Sequence, residues 1–71
     1  METKRPRLNT IGNRIKHYRK LKGMTQVQVC NALKWDISML SHYEGDRRRP
    51  RVDKLFDLAT LFDIKVSNLI P

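Results

Sequence analysis

Apolar residues recur every three to four positions along most of this chain, which is the spacing of helices with one buried face. Ile11, Ile15 and Tyr18 form a first stripe, with Leu21 at its margin, and predict a helix ending near Lys22. Asn9 or Thr10 can cap its start, and Gly23 ends it because glycine accepts a left-handed backbone there. The segment QVQVCNALKWDISMLSHY, from Gln26 to Tyr43, reads as two short helices joined by a tight turn. Thr25 caps the first, over 26–33, with Val29, Cys30 and Leu33 on one face. Asp36 caps the second, over 37–44, where its carboxylate also suits the positive helix end. Met39, Leu40 and Tyr43 form the inward face of that helix. Pro50 allows no helix through the loop GDRRRPR. A fourth helix is expected over 52–62, with Val52, Leu55, Phe56, Leu58, Ala59 and Phe62 facing inward and Asp63 closing it. Ser67 to Ile70 form a last short turn. No alternating strand pattern, repeat or low-complexity segment interrupts this order. The expected fold is all-α with five helices, residues 10–71, behind a flexible basic N-terminal arm over 1–9.

The second helix of the close pair has a face that the core does not need. Ile37, Ser38, Ser41 and His42 fall within an arc of roughly 140° at 100° per residue. Ser38 can donate or accept a hydrogen bond, His42 can bond a base or a phosphate, and Ile37 can pack on a thymine methyl. A solvated surface would not favour an exposed isoleucine. The alternative for each residue is a plain solvent-facing position, and it weighs most on Ser41, which lies towards the axis side.

Charge changes the picture further. The chain has 71 residues, with 15 Lys and Arg against 7 Asp and Glu, a net charge of +8. One small domain of this charge favours a polyanionic partner. Nucleic acid is the first choice and an anionic membrane surface the second, since no stretch of about 18 apolar residues exists to span a bilayer. The single cysteine, Cys30, forms no internal disulfide, and the basic start is not followed by a signal-type apolar run. The expected compartment is the cytoplasm. Together, a packed helix pair, a mixed-chemistry outer face and a basic surface match the way a helix-turn-helix reads DNA.

The ordered motifs IGxRI, R-K-x-K-G-M-T-Q, S-x-Y-E, RRRP and DKLFDLATLFDI, read together, resemble the Cro/repressor-type helix-turn-helix family, also called the xenobiotic-response-element family. The resemblance covers about residues 11–70 without a gap. It implies base contacts from Ile37, Ser38 and His42, and Ser41 stays a fourth candidate from its place on the same face. It also implies that Gln26 bonds a phosphate and that Arg19 and Glu44 form a structural ion pair between the first and third helices. Candidate phosphate contacts are Arg14, Thr25, Gln26, Lys34, Arg47, Arg48 and Arg49. A charge run is by itself only a solvated face, but the loop 45–51 follows the reading helix and would lie beside the backbone. The chain departs from the family at four places. Cys30 stands where a small residue, most often alanine, is usual. Lys34 and Asp46 stand where glycine is common, and Trp35 where valine or isoleucine is common. A left-handed lysine costs about 1 kcal/mol, whereas aspartate tolerates that geometry better.

No enzyme, metal or cofactor is expected. Cys30 lies on a core face without an activating histidine, His17 and His42 have no ligand spacing around them, and no Gly-rich phosphate loop is present. The expected function is a sequence-specific duplex-DNA-binding regulator, a repressor acting as a homodimer, because one recognition helix reads too few base pairs for useful specificity. The dimer surface is expected from the fourth and fifth helices and the Leu69-Ile70-Pro71 end. With no ligand-binding domain in view, control is expected from concentration, degradation or a protein partner. A phage or mobile-element repressor, a restriction–modification controller and an antitoxin with a toxin partner all fit. An RNA-binding or nucleoid module is a further rival, but no aromatic stacking platform supports it.

Overall fold

The computed structural model describes residues 7–71. Most of the expected arm therefore lies outside the described residues. Four α-helices follow one another: α1 (Ile11–Leu21), α2 (Gln26–Leu33), α3 (Ile37–Glu44) and α4 (Val52–Phe62). The fifth element is a single 3-10 turn, Val66–Leu69, rather than an α-helix. There is no strand among the described residues.

Local chemistry accounts for most helix ends. The Thr10 hydroxyl accepts from the Asn13 N–H at 3.1 Å, and the Thr25 hydroxyl accepts from the Gln28 N–H at 3.1 Å. Gln28 Oε1 returns the second bond by accepting from the Thr25 N–H at 2.8 Å, a complete capping box. Gly23 takes a positive φ of 66° just beyond α1. Lys34 and Asp63 close α2 and α4 with left-handed backbones, at φ 59° and 55°. Asp36 corrects one expectation. It occupies the start of α3 with extended backbone, but its exposed carboxylate makes no capping hydrogen bond. It acts there only as a charge near the positive helix end.

The core gathers Ile15 of α1, Val29 and Cys30 of α2, Leu40 and Tyr43 of α3, Leu55, Leu58, Ala59 and Phe62 of α4, and Leu69 of the final turn. α3 packs between α1 and α2, while α4 packs on α1, α2 and the 3-10 turn. Fully burying one aliphatic or aromatic side chain contributes about 1.5–3 kcal/mol. Val52 and Phe56 are not among these side chains, contrary to expectation: they are 65% and 53% exposed. At 100° per residue they lie roughly 70° and 110° from the middle of the arc formed by Leu55, Leu58, Ala59 and Phe62. They share the outer face of α4 with the exposed Asp53, Asp57 and Thr60.

Trp35, half-buried, closes over the turn between α2 and α3. Its ring meets Tyr43 edge-on at 5.8 Å, and Lys54 Nζ of α4 lies 5.5 Å from its centroid. The contact with a cation over an indole face adds about 0.5–1 kcal/mol at a partly exposed site.

Cys30 sits where α2 and α3 touch, 4% exposed, with its thiol donating to the Asp36 carbonyl at 3.6 Å. Burial pushes the thiol pKa up, and the nearby Glu44 and Asp36 carboxylates add to the rise. A thiol held protonated and covered is a poor nucleophile. A thiol-reactive disulfide reagent is therefore expected to label Cys30 only as fast as the chain unfolds. Rapid stoichiometric labelling of the native protein would contradict this placement.

Candidate nucleic-acid interface

α3 is held by one side and open on the other. Leu40, Tyr43 and Glu44 are buried against α1 and α2, and Met39 is half-buried. Ile37, Ser38 and Ser41 are exposed, and His42 is half-buried at the edge of the same arc. Ile37 keeps 49% of its surface in solvent. The helix thus presents two hydroxyls, an imidazole and an apolar side chain on one face, fixed in direction by the packing behind it.

The opposite end of that packing is polar. Arg19 of α1 and Glu44 of α3 are both buried, and the guanidinium donates twice to the carboxylate, Nε to Oε2 at 2.6 Å and Nη2 to Oε1 at 3.1 Å. Arg19 Nη1 also donates to the Met24 carbonyl at 2.8 Å. Gln26 Nε2, from the start of α2, donates to Glu44 Oε1 at 3.1 Å. The Arg19–Glu44 pair therefore ties α1, the α1–α2 connection, the start of α2 and the end of α3 together. Charge-assisted, two-pronged pairing gives this joint its geometry. A second N–H on the Gln26 amide is what that side chain has to offer a phosphate.

The cationic candidates divide. Lys34, Arg47, Arg48 and Arg49 are exposed, Lys34 in the turn before α3 and the arginines in the loop after it. Their positions bracket the open face of α3. The loop is gripped from α3 itself: the Arg47 and Arg48 N–H groups donate to the His42 carbonyl at 2.9 and 3.4 Å. Arg14 is differently used. Its Nε donates to the Leu8 carbonyl at 2.7 Å and its Nη1 to the Asn68 carbonyl at 3.1 Å. It clamps the segment before α1 to the final turn, so its guanidinium is engaged within the chain. Thr25, though exposed, spends its hydroxyl and amide in the capping box.

Sequence reasoning missed Gly12 and the way Asp46 is used. A Cβ built on Gly12 would lie 2.6 Å from Asp46 Oδ1 and 2.7 Å from the Glu44 carbonyl oxygen, and would also strike the Tyr43 carbonyl. The backbone of α1 approaches the end of α3 this closely only because glycine has no side chain. A glycine in the first turn of a helix, where alanine is better by about 1 kcal/mol, was the one signal in the sequence.

Among the described residues, no group of three His, Cys, Asp or Glu side chains is placed to hold a metal, and no helix is long and apolar enough to cross a membrane.

Comparison with known proteins agrees with this architecture. A family model described as helix-turn-helix matches residues 15–69. The uncharacterized HTH-type transcriptional regulator YazB of Bacillus subtilis is 37% identical over 60 residues, spanning 84% of this chain and 87% of that protein. The immunity repressor protein of Bacillus phage phi105 is 36% identical over 61 residues, 86% of this chain but 42% of the repressor, so the chain spans under half of that relative. Among solved structures, the restriction-modification controller protein C.AhdI from Aeromonas hydrophila superposes with a TM-score of 0.80 at 27% identity, over 89% of this chain and 96% of the controller. With the family model matching most of the chain and a relative covered nearly end to end, this chain belongs to the helix-turn-helix family of DNA-binding proteins, in its Cro/repressor-type branch.

Proposed function

We propose that this protein is a sequence-specific, duplex-DNA-binding transcriptional regulator, a cytoplasmic repressor acting as a homodimer on a palindromic operator. The observation that carries the reading is the outer arc of α3. Ile37, Ser38 and Ser41 face solvent, with the half-buried His42 at the edge of the same arc, on a short helix whose other side is locked into the core. Such a helix enters the major groove, and its hydroxyl, imidazole and methyl groups meet base edges. Lys34 and Arg47–Arg49 flank it and hold the phosphates, with Gln26 and the start of α2 across the backbone. A second copy covers the exposed Val52, Phe56 and Ile70, which a monomer would leave in water. A phage immunity repressor among the relatives, and a restriction-modification controller among the similar structures, support the regulatory setting.

Selection of bound sites from random duplex DNA tests the reading. The expected outcome is an inverted repeat whose half-site centres lie about one helical turn apart, since a two-fold dimer must place both α3 helices on one side of the duplex. Enrichment of no motif would reject sequence-specific reading. Enrichment of a single half-site would reject the dimer.

A further inference from the structure

We propose that Asp46 is a positioning residue for DNA binding: its carboxylate caps α1 from the far side of the chain and so fixes where the Arg47–Arg49 loop stands against the phosphate backbone. The proposal rests on the DNA-binding reading above.

Asp46 is the second residue of the loop that follows α3, after Gly45, and its backbone is left-handed, at φ 58°. Its N–H donates to the Tyr43 carbonyl at 3.2 Å. Its side chain reaches a different helix. Oδ1 accepts from the Gly12 N–H at 3.0 Å, and Oδ2 accepts from the Thr10 hydroxyl at 2.7 Å. The same hydroxyl accepts from the Asn13 N–H, so the cap of α1 is a relay from Asn13 through Thr10 to Asp46. The carboxylate thus sits at the positive end of α1, 34 and 36 residues away from its partners in sequence. The next two residues, Arg47 and Arg48, are held by the His42 carbonyl. The loop is therefore pinned at both α1 and α3 before its guanidinium groups begin. Long arginine side chains reach a phosphate in a fixed direction only from a fixed backbone.

Simple electrostatics gives the opposite expectation. Asp46 places a negative charge beside a loop meant for phosphates, so its removal should tighten binding to any duplex. Positioning says that its removal should loosen binding. The two accounts differ in sign, and Asp46→Gly separates them. Glycine keeps the left-handed backbone without strain and deletes the carboxylate.

The full chain, at a temperature where each variant remains folded, is titrated with a labelled mixed-sequence duplex over a range of salt. Asp46→Gly is expected to bind several-fold to roughly tenfold more weakly, with the log K against log salt slope flattened by about 0.9 for every phosphate that the loop no longer reaches. Asp46→Asn keeps an oxygen for the Gly12 N–H and tolerates the same backbone, so it is expected to bind at least as well as the parent with the parent slope. Parent-like or tighter binding by Asp46→Gly with an unchanged slope would overturn the proposal, as would Asp46→Asn falling as far as glycine.

Thr10→Ala provides a second test that leaves the loop sequence untouched. It is expected to lower the amide-exchange protection of Arg47 and Arg48 and to flatten the salt slope. Unchanged protection and slope in that variant would also overturn positioning. Failure of the functional reading looks different: the parent itself would bind duplex DNA without a salt-dependent affinity. Amide exchange in Thr10→Ala then decides the Asp46 contact on its own.

Discussion

Replacing Gly12 by alanine is expected to destabilise the fold by about 2–4 kcal/mol, the range of the more severe overpacking defects. The added methyl meets two backbone carbonyls and the Asp46 carboxylate at once. Backbone oxygens cannot swing aside as a flexible side chain does, so α1 must move off the end of α3. That movement opens the Gly12–Asp46 bond and strains the Arg19–Glu44 pair, which joins the same two helices. A chain of 71 residues holds a total stability of roughly 4–11 kcal/mol at the usual 0.05–0.15 kcal/mol per residue. A large share of it is therefore at risk. Gly45 is the internal control. A Cβ there would come tight only on the Ser41 carbonyl, at 3.3 Å, with the Arg47 side chain at ordinary contact distance, and the backbone φ is −87°, which any residue adopts. Gly45→Ala should change stability by less than about 1 kcal/mol, within the ordinary range for exposed sites. Denaturant unfolding of the two variants at constant m-value checks the pair. Equal effects at the two glycines would show that the α1–α3 approach is looser than described.

Arg19→Ala and Glu44→Ala are each expected to cost about 3–5 kcal/mol, because either change strands a charge that is 8% exposed. Removing Arg19 leaves Glu44 with only the Gln26 amide. Removing Glu44 leaves Arg19 with the Met24 carbonyl. The double variant should lose clearly less than the sum, since no buried charge remains uncompensated. Strict additivity in a double-mutant cycle would show that the two groups do not act as a pair. The role expected of this joint is orientation. It sets the tilt of α3 against α1 and α2, and hence the direction of the exposed α3 face.

The four α-helices are legible in the sequence because each carries its period and its punctuation locally. Thr25, Gly23 and Asp63 lie within a few residues of the ends they close and act as their chemistry suggests, whereas Lys34 closes α2 in a left-handed conformation that its side chain does not favour. The open face of α3 is legible for the same reason: once Leu40 and Tyr43 are assigned inward, the remaining arc must face out. What escapes is set by distance in sequence. Nothing near Gly12 announces that the end of α3 presses on it. Nothing near Asp46 announces that its carboxylate reaches Thr10 and Gly12. Arg14 resembles any surface cation until the Leu8 and Asn68 carbonyls are seen to meet it. Val52 and Phe56 mislead for another reason. Hydrophobicity alone assigns them to the core, whereas the arc fixed by Leu58 and Phe62 turns them to solvent.

Alanine replacement at Ile37, Ser38 and His42 measures most directly whether the outer face of α3 reads sequence. These side chains lie outside the buried cluster, so melting temperatures should stay close to the parent's. Affinity for the site selected from random duplex DNA should fall by about 1–3 kcal/mol for each base-edge interaction removed, while binding to mixed-sequence duplex stays nearly constant. For Ile37→Ala the loss should concentrate at one base pair of each half-site. If all three variants bind the selected site as the parent does, α3 is not the reader.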